Sequence, residues 1–312
     1  MKYTVLLYYK FVPINNPQEL VEQMRSFCQK QNLLGRIIIA KQGINGTVSG
    51  TPNDIRAYKE YMYAKPEFSD IWFKEQEFDE NPFPKLKIRH RKELCTLRAG
   101  DLDPKDGGTH LEPSQVNELV KKHGDDVVFF DARNTYESKI GKFENAICPD
   151  IQTFYELPDK IPQYLESLKN KKVIMYCTGG VRCETASVLF KKAGITDVYQ
   201  INGGIYNYCT QYPDGLFKGA CFVFDDRMEI SWDENGKPIL VSEMKEDAII
   251  SHCEFCNVKT ARVVNDERYL ERVATVCCEA CDLKLDISRM RTKQERKEML
   301  ANKDKFSKPL NA

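Results

Sequence analysis

Lys172-Val173-Ile174-Met175-Tyr176-Cys177-Thr178-Gly179-Gly180-Val181-Arg182-Cys183-Glu184 is an apolar run, then a cysteine, two glycines and a return to polar residues. The run from Lys172 to Tyr176 has the length and content of a buried strand. Thr185 to Lys192 follows with Ala186, Val188, Leu189 and Ala193 as one apolar side, which predicts a helix. A strand, a glycine turn and a helix in that order put Cys177 at the carboxyl end of a strand. Ligands of open parallel sheets bind there. Two glycines let the backbone curl so that several N–H groups converge on one atom. The helix start adds partial positive charge, and Arg182 adds a full one. A cysteine so placed is predicted to ionise near neutral pH and to act as a nucleophile.

Working outward, Pro113 to Lys122 reads as a helix and Val127 to Phe130 as a buried strand ending at Asp131. Val198 to Ile201 is a further strand, closed by the turn Asn202-Gly203-Gly204. Strands alternating with helices predict a mostly parallel α/β sheet over residues 110–218. Upstream, Tyr3 to Val12 reads as a strand, Asn16-Pro17 opens a helix, and Gly35 stops it. Arg36 to Ala40 is the next strand. Asn45-Gly46 marks a hairpin turn into Thr47 to Ser49. Pro52 and Asp54 start a second helix, and Ile71 to Phe78 is a fourth strand. The order β-α-β-β-α-β over residues 1–98 is the ferredoxin-like α+β arrangement. The loop from Gly100 to Gly108 divides these two units, and 219–312 forms a third, cysteine-rich region with a basic tail.

The chain has 312 residues, and at roughly 100–200 residues per domain that suits two or three domains. Lys plus Arg and Asp plus Glu are both 46, which excludes a uniformly basic nucleic-acid coat. The zero is a sum of opposed patches. Residues 85–98 hold six bases and one acid, 225–247 eight acids and three bases, and 284–308 nine bases and four acids. In extended form Lys85, Lys87, Arg89 and Arg91 share one face, with Lys92 beyond and Leu86 and Ile88 on the other. That stripe suits either a charged edge strand or contacts to RNA phosphates. No apolar run approaches the roughly 18 residues of a membrane span. The N-terminus lacks a signal-peptide cleavage site, so a cytoplasmic location with reduced thiols is expected.

Twelve cysteines then call for separate explanations. Cys253-x2-Cys256 and Cys278-x2-Cys281, with 21 residues between Cys256 and Cys278, have the spacing of a structural zinc site. Cys277 adjoins the second pair. A thiol relay or a disulfide is the competing use, and a chain with reduced thiols disfavours the disulfide. Cys183, in the helix after the reactive loop, reads either as a thiol that resolves an oxidised Cys177 or as a small buried hydrophobe. Cys28, Cys95, Cys148, Cys209 and Cys221 have no partner at motif spacing and are expected to be ordinary core or surface residues. There is no flavin, haem or nicotinamide fingerprint.

Asp131-Ala132-Arg133, Tyr136-Glu137, Gly141, Ala146, the C-x4-R loop and Asn202-Gly203-Gly204 together make the stretch from about Pro113 to Pro213 resemble a rhodanese domain. That resemblance implies that Cys177 carries a persulfide cradled by the N–H groups of Thr178, Gly179, Gly180, Val181 and Arg182. It also implies that Asp131 and Arg133 hold the loop wall by ion pairing. Rhodanese-fold phosphatases have a loop one residue longer, which argues against a phosphatase. Gly35-Arg36-Ile37-Ile38-Ile39-Ala40, Gly43-Ile44-Asn45-Gly46, Pro82-Phe83-Pro84-Lys85-Leu86-Lys87 and Cys177 to Glu184 occur in order. In that combination the chain resembles the bacterial tRNA uridine(34) hydroxylases. The resemblance implies conversion of the wobble uridine of tRNA to 5-hydroxyuridine, with molecular oxygen and a reductant as co-substrates. An anticodon loop is then the expected partner, because its unstacked bases can be splayed onto aromatic side chains. A persulfide sulfurtransferase acting on a small acceptor, a carrier protein or RNA needs the same thiolate and stays as the alternative.

Overall fold

A computed structural model describes residues 2–271 and 273–307. Lys308, the last base of the expected tail, lies outside them. The first unit is a five-stranded sheet in the order β4-β1-β3-β2-β5. Its strands are β1 (Tyr3–Phe11), β2 (Leu34–Ala40), β3 (Gly43–Gly50), β4 (Lys74–Phe78) and β5 (Leu86–His90). Helices α1 (Pro17–Lys30) and α2 (Pro52–Tyr63) start where the sequence predicts. Asn16 caps the first helix, and Thr51 with Asp54 forms a capping box on the second. Leu6, Tyr8, Met24, Ile37, Val48 and Tyr58 pack the core between sheet and helices. The basic segment is the edge strand β5, parallel to β2, with Ile88 buried beneath it.

Three local expectations are corrected. The hairpin turns at Lys41-Gln42, since Ala40 pairs with Gly43, and Asn45-Gly46 lies within β3. Gly46 is there for space, because a Cβ would sit 2.3 Å from the Tyr8 hydroxyl. Gly35 belongs to β2 rather than to the end of α1. The fourth strand begins at Lys74, with Ile71 and Phe73 packed into the core ahead of it.

The second unit carries a wholly parallel sheet in the order β6-β10-β9-β7. These strands are β6 (Thr109–Leu111), β7 (Val127–Asp131), β9 (Lys172–Tyr176) and β10 (Val198–Ile201). Around it run α3 (Pro113–His123), α4 (Thr135–Ile140), the short α5 (Leu157–Lys160) and α6 (Leu165–Leu168), then α7 (Val181–Lys192) and α8 (Gly204–Gln211). The small pair β8 (Gly141–Phe143) and β11 (Phe217–Gly219) stacks Phe143 against Phe129. β9 is buried on both faces from Val173 onward, which is why its sequence runs apolar instead of alternating.

The C-terminal region has two small antiparallel sheets. One is β12 (Cys221–Phe222), β13 (Glu229–Trp232) and β14 (Pro238–Leu240). The other is β15 (Val263–Asn265) with β16 (Ala274–Val276). Helices α9 (Glu279–Leu285), α10 (Lys293–Ala301) and α11 (Lys303–Phe306) follow. Among the described residues no helix is long and apolar enough to cross a membrane.

A candidate active site between two domains

β9 ends at Tyr176 and α7 starts at Val181, so Cys177 to Gly180 form the turn between them. Gly180 has φ 104°, a value that disfavours any residue with a Cβ. That turn aims the Gly180 N–H at the Cys177 sulfur, 3.1 Å away. Cys177 is only 1% exposed. Burial opposes its ionisation. Against that, the Cys183 thiol donates to it, the Arg182 guanidinium attracts it, and the Arg182 and Gly180 N–H groups point at it. Together they bring the thiol down to about 5. The Cys183 thiol moves the opposite way, pushed up by burial and by the neighbouring Cys177. The two neighbouring sulfurs are thus pushed in opposite directions, Cys177 toward the thiolate and Cys183 toward the thiol.

Arg182 is buried and forks onto Glu137 of α4, at 2.6 and 2.8 Å. Its charge is thus shared between Glu137 and Cys177. Asp131 and Arg133 form a second buried pair, with Arg133 bonded to both Asp131 oxygens and to the Gly141 carbonyl at 2.6 Å. The Arg133 guanidinium lies 5.5 Å from the Tyr176 ring centre, so this pair sits under the end of β9. Thr178 donates to the Phe222 carbonyl, tying the loop to the C-terminal region. Val181 opens α7, the reactive-loop helix.

The N-terminal sheet covers this loop, and here the sequence reading missed several residues. On β1 and β4, Leu7 pairs with Lys74 and Val5 with Gln76, so these side chains share the face opposite the helices. The ammonium of Lys74, itself 5% exposed, donates to the Gly179 carbonyl at 3.2 Å. Burial pushes that ammonium down to about 8, with Cys177 and Glu184 pulling it back up. Tyr9 donates to Glu184 of α7 at 2.7 Å. The same carboxylate bonds the His110 ring at 2.9 Å, which raises the pKa of His110. A Cβ at Gly179 would meet Leu7, and one at Gly180 would meet the Tyr9 hydroxyl at 2.9 Å. The usable signal was the pattern of β4, Lys-Glu-Gln-Glu-Phe, whose inward positions are polar. A polar inward position on a strand calls for a partner beyond the sheet.

Two cavities open against the helix that follows the loop. One of about 400 Å3 is lined by Tyr9, Phe11, Trp72, Lys74, His110 and Glu184, among others. The second, about 990 Å3, is a cleft bounded by Lys41, Arg91, Lys92, Arg98 and Lys192. Of the stripe residues, Lys85, Arg89, Arg91 and Lys92 are exposed, and Lys87 is half-buried. The structure brings Arg91 and Lys92 into the cleft wall; Lys85, Lys87 and Arg89 are not among its lining residues.

In the C-terminal region, the sulfurs of Cys253, Cys256, Cys278 and Cys281 all lie within 4.8 Å of one another. A tetrahedral zinc with Zn–S bonds of about 2.3 Å needs sulfurs roughly 3.8 Å apart, so this donor set fits that ion. Cys277 is buried next to them, its thiol pushed up to about 12, chiefly by burial.

Family models match three consecutive stretches: the UPF0176 acylphosphatase like domain over residues 3–94, the Rhodanese-like domain over 112–211, and the Rhodanase C-terminal region over 218–293. A tRNA uridine(34) hydroxylase from Bacillus mycoides is 42% identical over 267 residues, 84% of this chain and 80% of its own length. One from Corynebacterium glutamicum is 40% identical over 264 residues, 82% of this chain and 81% of that one. One from Bacillus licheniformis is 40% identical over 286 residues, 88% of each chain. With identity of that level running from the acylphosphatase-like domain through the C-terminal region, the chain belongs to the tRNA uridine(34) hydroxylase family.

Proposed function

We propose that this protein hydroxylates C5 of the wobble uridine of tRNA, giving 5-hydroxyuridine, with Cys177 as the reacting thiol. The observation that carries the chemistry is the thiol brought down to about 5 inside a closed loop. If molecular oxygen supplies the hydroxyl, the balance is fixed. One oxygen atom is inserted into the C5–H bond, the other leaves as water, and a reductant delivers two electrons and two protons. Thr178, Gly179, Gly180 and Val181 form the loop that holds the sulfur, and Arg182 stabilises its charge. Cys183 keeps the thiolate hydrogen-bonded, and Asp131 with Arg133 supports the loop from below. Cys253, Cys256, Cys278 and Cys281 would hold a structural zinc, which keeps two chain segments together and takes no part at the loop.

The work divides among residues 1–98, which cover the loop and supply the basic strand, 110–218, which carry the thiol, and the C-terminal 219–312. Lys85, Lys87, Arg89, Arg91 and Lys92 are the proposed phosphate contacts to the anticodon stem-loop, and a tRNA substrate implies a cytoplasmic site of action. Nucleoside mass spectrometry of tRNA treated with wild-type protein and with Cys177→Ala is the test. The substitution should abolish 5-hydroxyuridine; full product from Cys177→Ala would overturn the thiol's role. Sulfurtransferase chemistry would use the same thiolate. Transfer of sulfur from thiosulfate to cyanide, with no tRNA product, would favour it instead.

A further inference from the structure

We propose that the cavity of about 400 Å3 beside the reactive loop is the seat of one unstacked uridine, with its base lying on Trp72. The proposal rests on the tRNA-modifying reading and adds where the base goes and why it must be uracil. The volume is near the low end of the roughly 300–1,000 Å3 typical of small-ligand sites, which suits one nucleotide and excludes a duplex. Trp72 is 45% exposed, an aromatic face in a wall it shares with Tyr9, Phe11 and charged side chains. Its position is fixed. The Lys74 ammonium lies 4.6 Å from its ring centre, and a Cβ at Gly203 would come within 2.8 Å of it. The ring therefore rests on the glycine of the Asn202-Gly203-Gly204 turn. A fixed aromatic face beside cations is the usual platform for a splayed RNA base.

The polar groups choose the base. Glu184 already accepts from Tyr9 and His110, and the Gln200 amide lies 3.3 Å from its other oxygen. Asp70, at the rim, is paired with Lys10. What remains to face a ligand is the ammonium of Lys74, a donor, and the carboxamide oxygen of Asn202, an acceptor, whose NH2 group donates to Glu112; the His110 ring is already bonded to Glu184. Uracil offers two carbonyl oxygens. Uracil also offers an N3–H to the Asn202 oxygen, whereas cytosine would turn an amino group toward the ammonium and a bare ring nitrogen toward that oxygen, and a site left with unmatched groups rejects that. Tyr9 and Lys74 also touch the loop at Gly180 and Gly179, so the cavity shares a wall with the Cys177 turn.

Trp72 and Trp232 are the only tryptophans, so Trp232→Phe leaves Trp72 as the sole indole reporter. A synthetic anticodon stem-loop RNA with uridine at position 34 should quench Trp72 fluorescence saturably. The same RNA with cytidine should quench at least tenfold more weakly. Trp72→Ala should lower kcat/KM for 5-hydroxyuridine formation by about tenfold or more, while Cys177 alkylation by iodoacetamide stays unchanged. Hydroxylation without Trp72 quenching, equal quenching by both RNAs, or full kcat/KM in Trp72→Ala would overturn the proposal. Selective quenching in a protein that makes no 5-hydroxyuridine would support the cavity and sink the hydroxylase reading instead.

Discussion

Cys177 illustrates how a buried thiol can be kept charged. Burial alone would keep it protonated, and it is the donated hydrogen bonds and Arg182 that reverse the sign. With its pKa lowered to about 5, the reactive thiolate is present through neutral pH and is lost as pH falls through about 5. The rate of iodoacetamide alkylation at Cys177 should therefore stay flat from pH 8 to pH 6 and halve near pH 5. Cys183→Ala removes the thiol that donates to it, so the midpoint should move up by about one unit. Cys183→Ser retains an O–H donor and should restore most of that shift. If Cys183 instead resolves an oxidised Cys177, serine restores the titration but leaves turnover lost. The loop's chemistry was legible because strand, glycines and arginine are contiguous in the sequence. Lys74 was not, since it lies 105 residues from the carbonyl it contacts.

At the scale of elements, the site depends on pairs of segments held by single ionic contacts. Glu137 from α4 and Arg182 from α7 are both buried and bonded in a fork. Removing one partner leaves an uncompensated buried charge, so Glu137→Ala should cost about 3–5 kcal/mol in urea unfolding. A loss below about 1 kcal/mol would mean that Arg182 finds water or another acceptor. The sequence contained both residues within quoted motifs, yet nothing in their spacing shows that they meet. The cysteine knuckles are the opposite case, because a C-x2-C pair announces its own geometry. Elemental analysis should find about one zinc per chain, and Cys278→Ser should reduce that content and lower the melting temperature. Wild-type protein without bound zinc would remove the metal from the account. The turn between β2 and β3 was misread because Asn-Gly is a strong hairpin signal. In β3 the glycine instead makes room for the Tyr8 hydroxyl, a contact between neighbouring strands that no local pattern records.

Over the whole molecule, the balance of 46 bases and 46 acids conceals where the charge sits. The acidic stretch 225–247 includes Asp225, which is tied up with Arg227. The basic edge strand β5 remains exposed, at the opposite edge of the N-terminal sheet from β4. The fold itself brings Arg91 and Lys92 from the end of β5, Lys41 from the β2–β3 turn and Lys192 from α7 to one cleft. These residues are up to 151 positions apart in the chain, so the sequence could predict the stripe but not the cleft. An RNA held in this cleft would be bound electrostatically and locally. Each phosphate contact contributes roughly 0.7–0.9 to the slope of log K against log salt. Arg91→Ala with Lys92→Ala should therefore weaken tRNA binding and flatten that slope by about 1.4–1.8, measured by filter binding across a salt series. Cys177 alkylation should not change, because neither residue touches the loop. If the slope is unaltered while affinity falls, these side chains act on the shape of the cleft rather than on phosphates. If neither changes, the RNA follows a different surface.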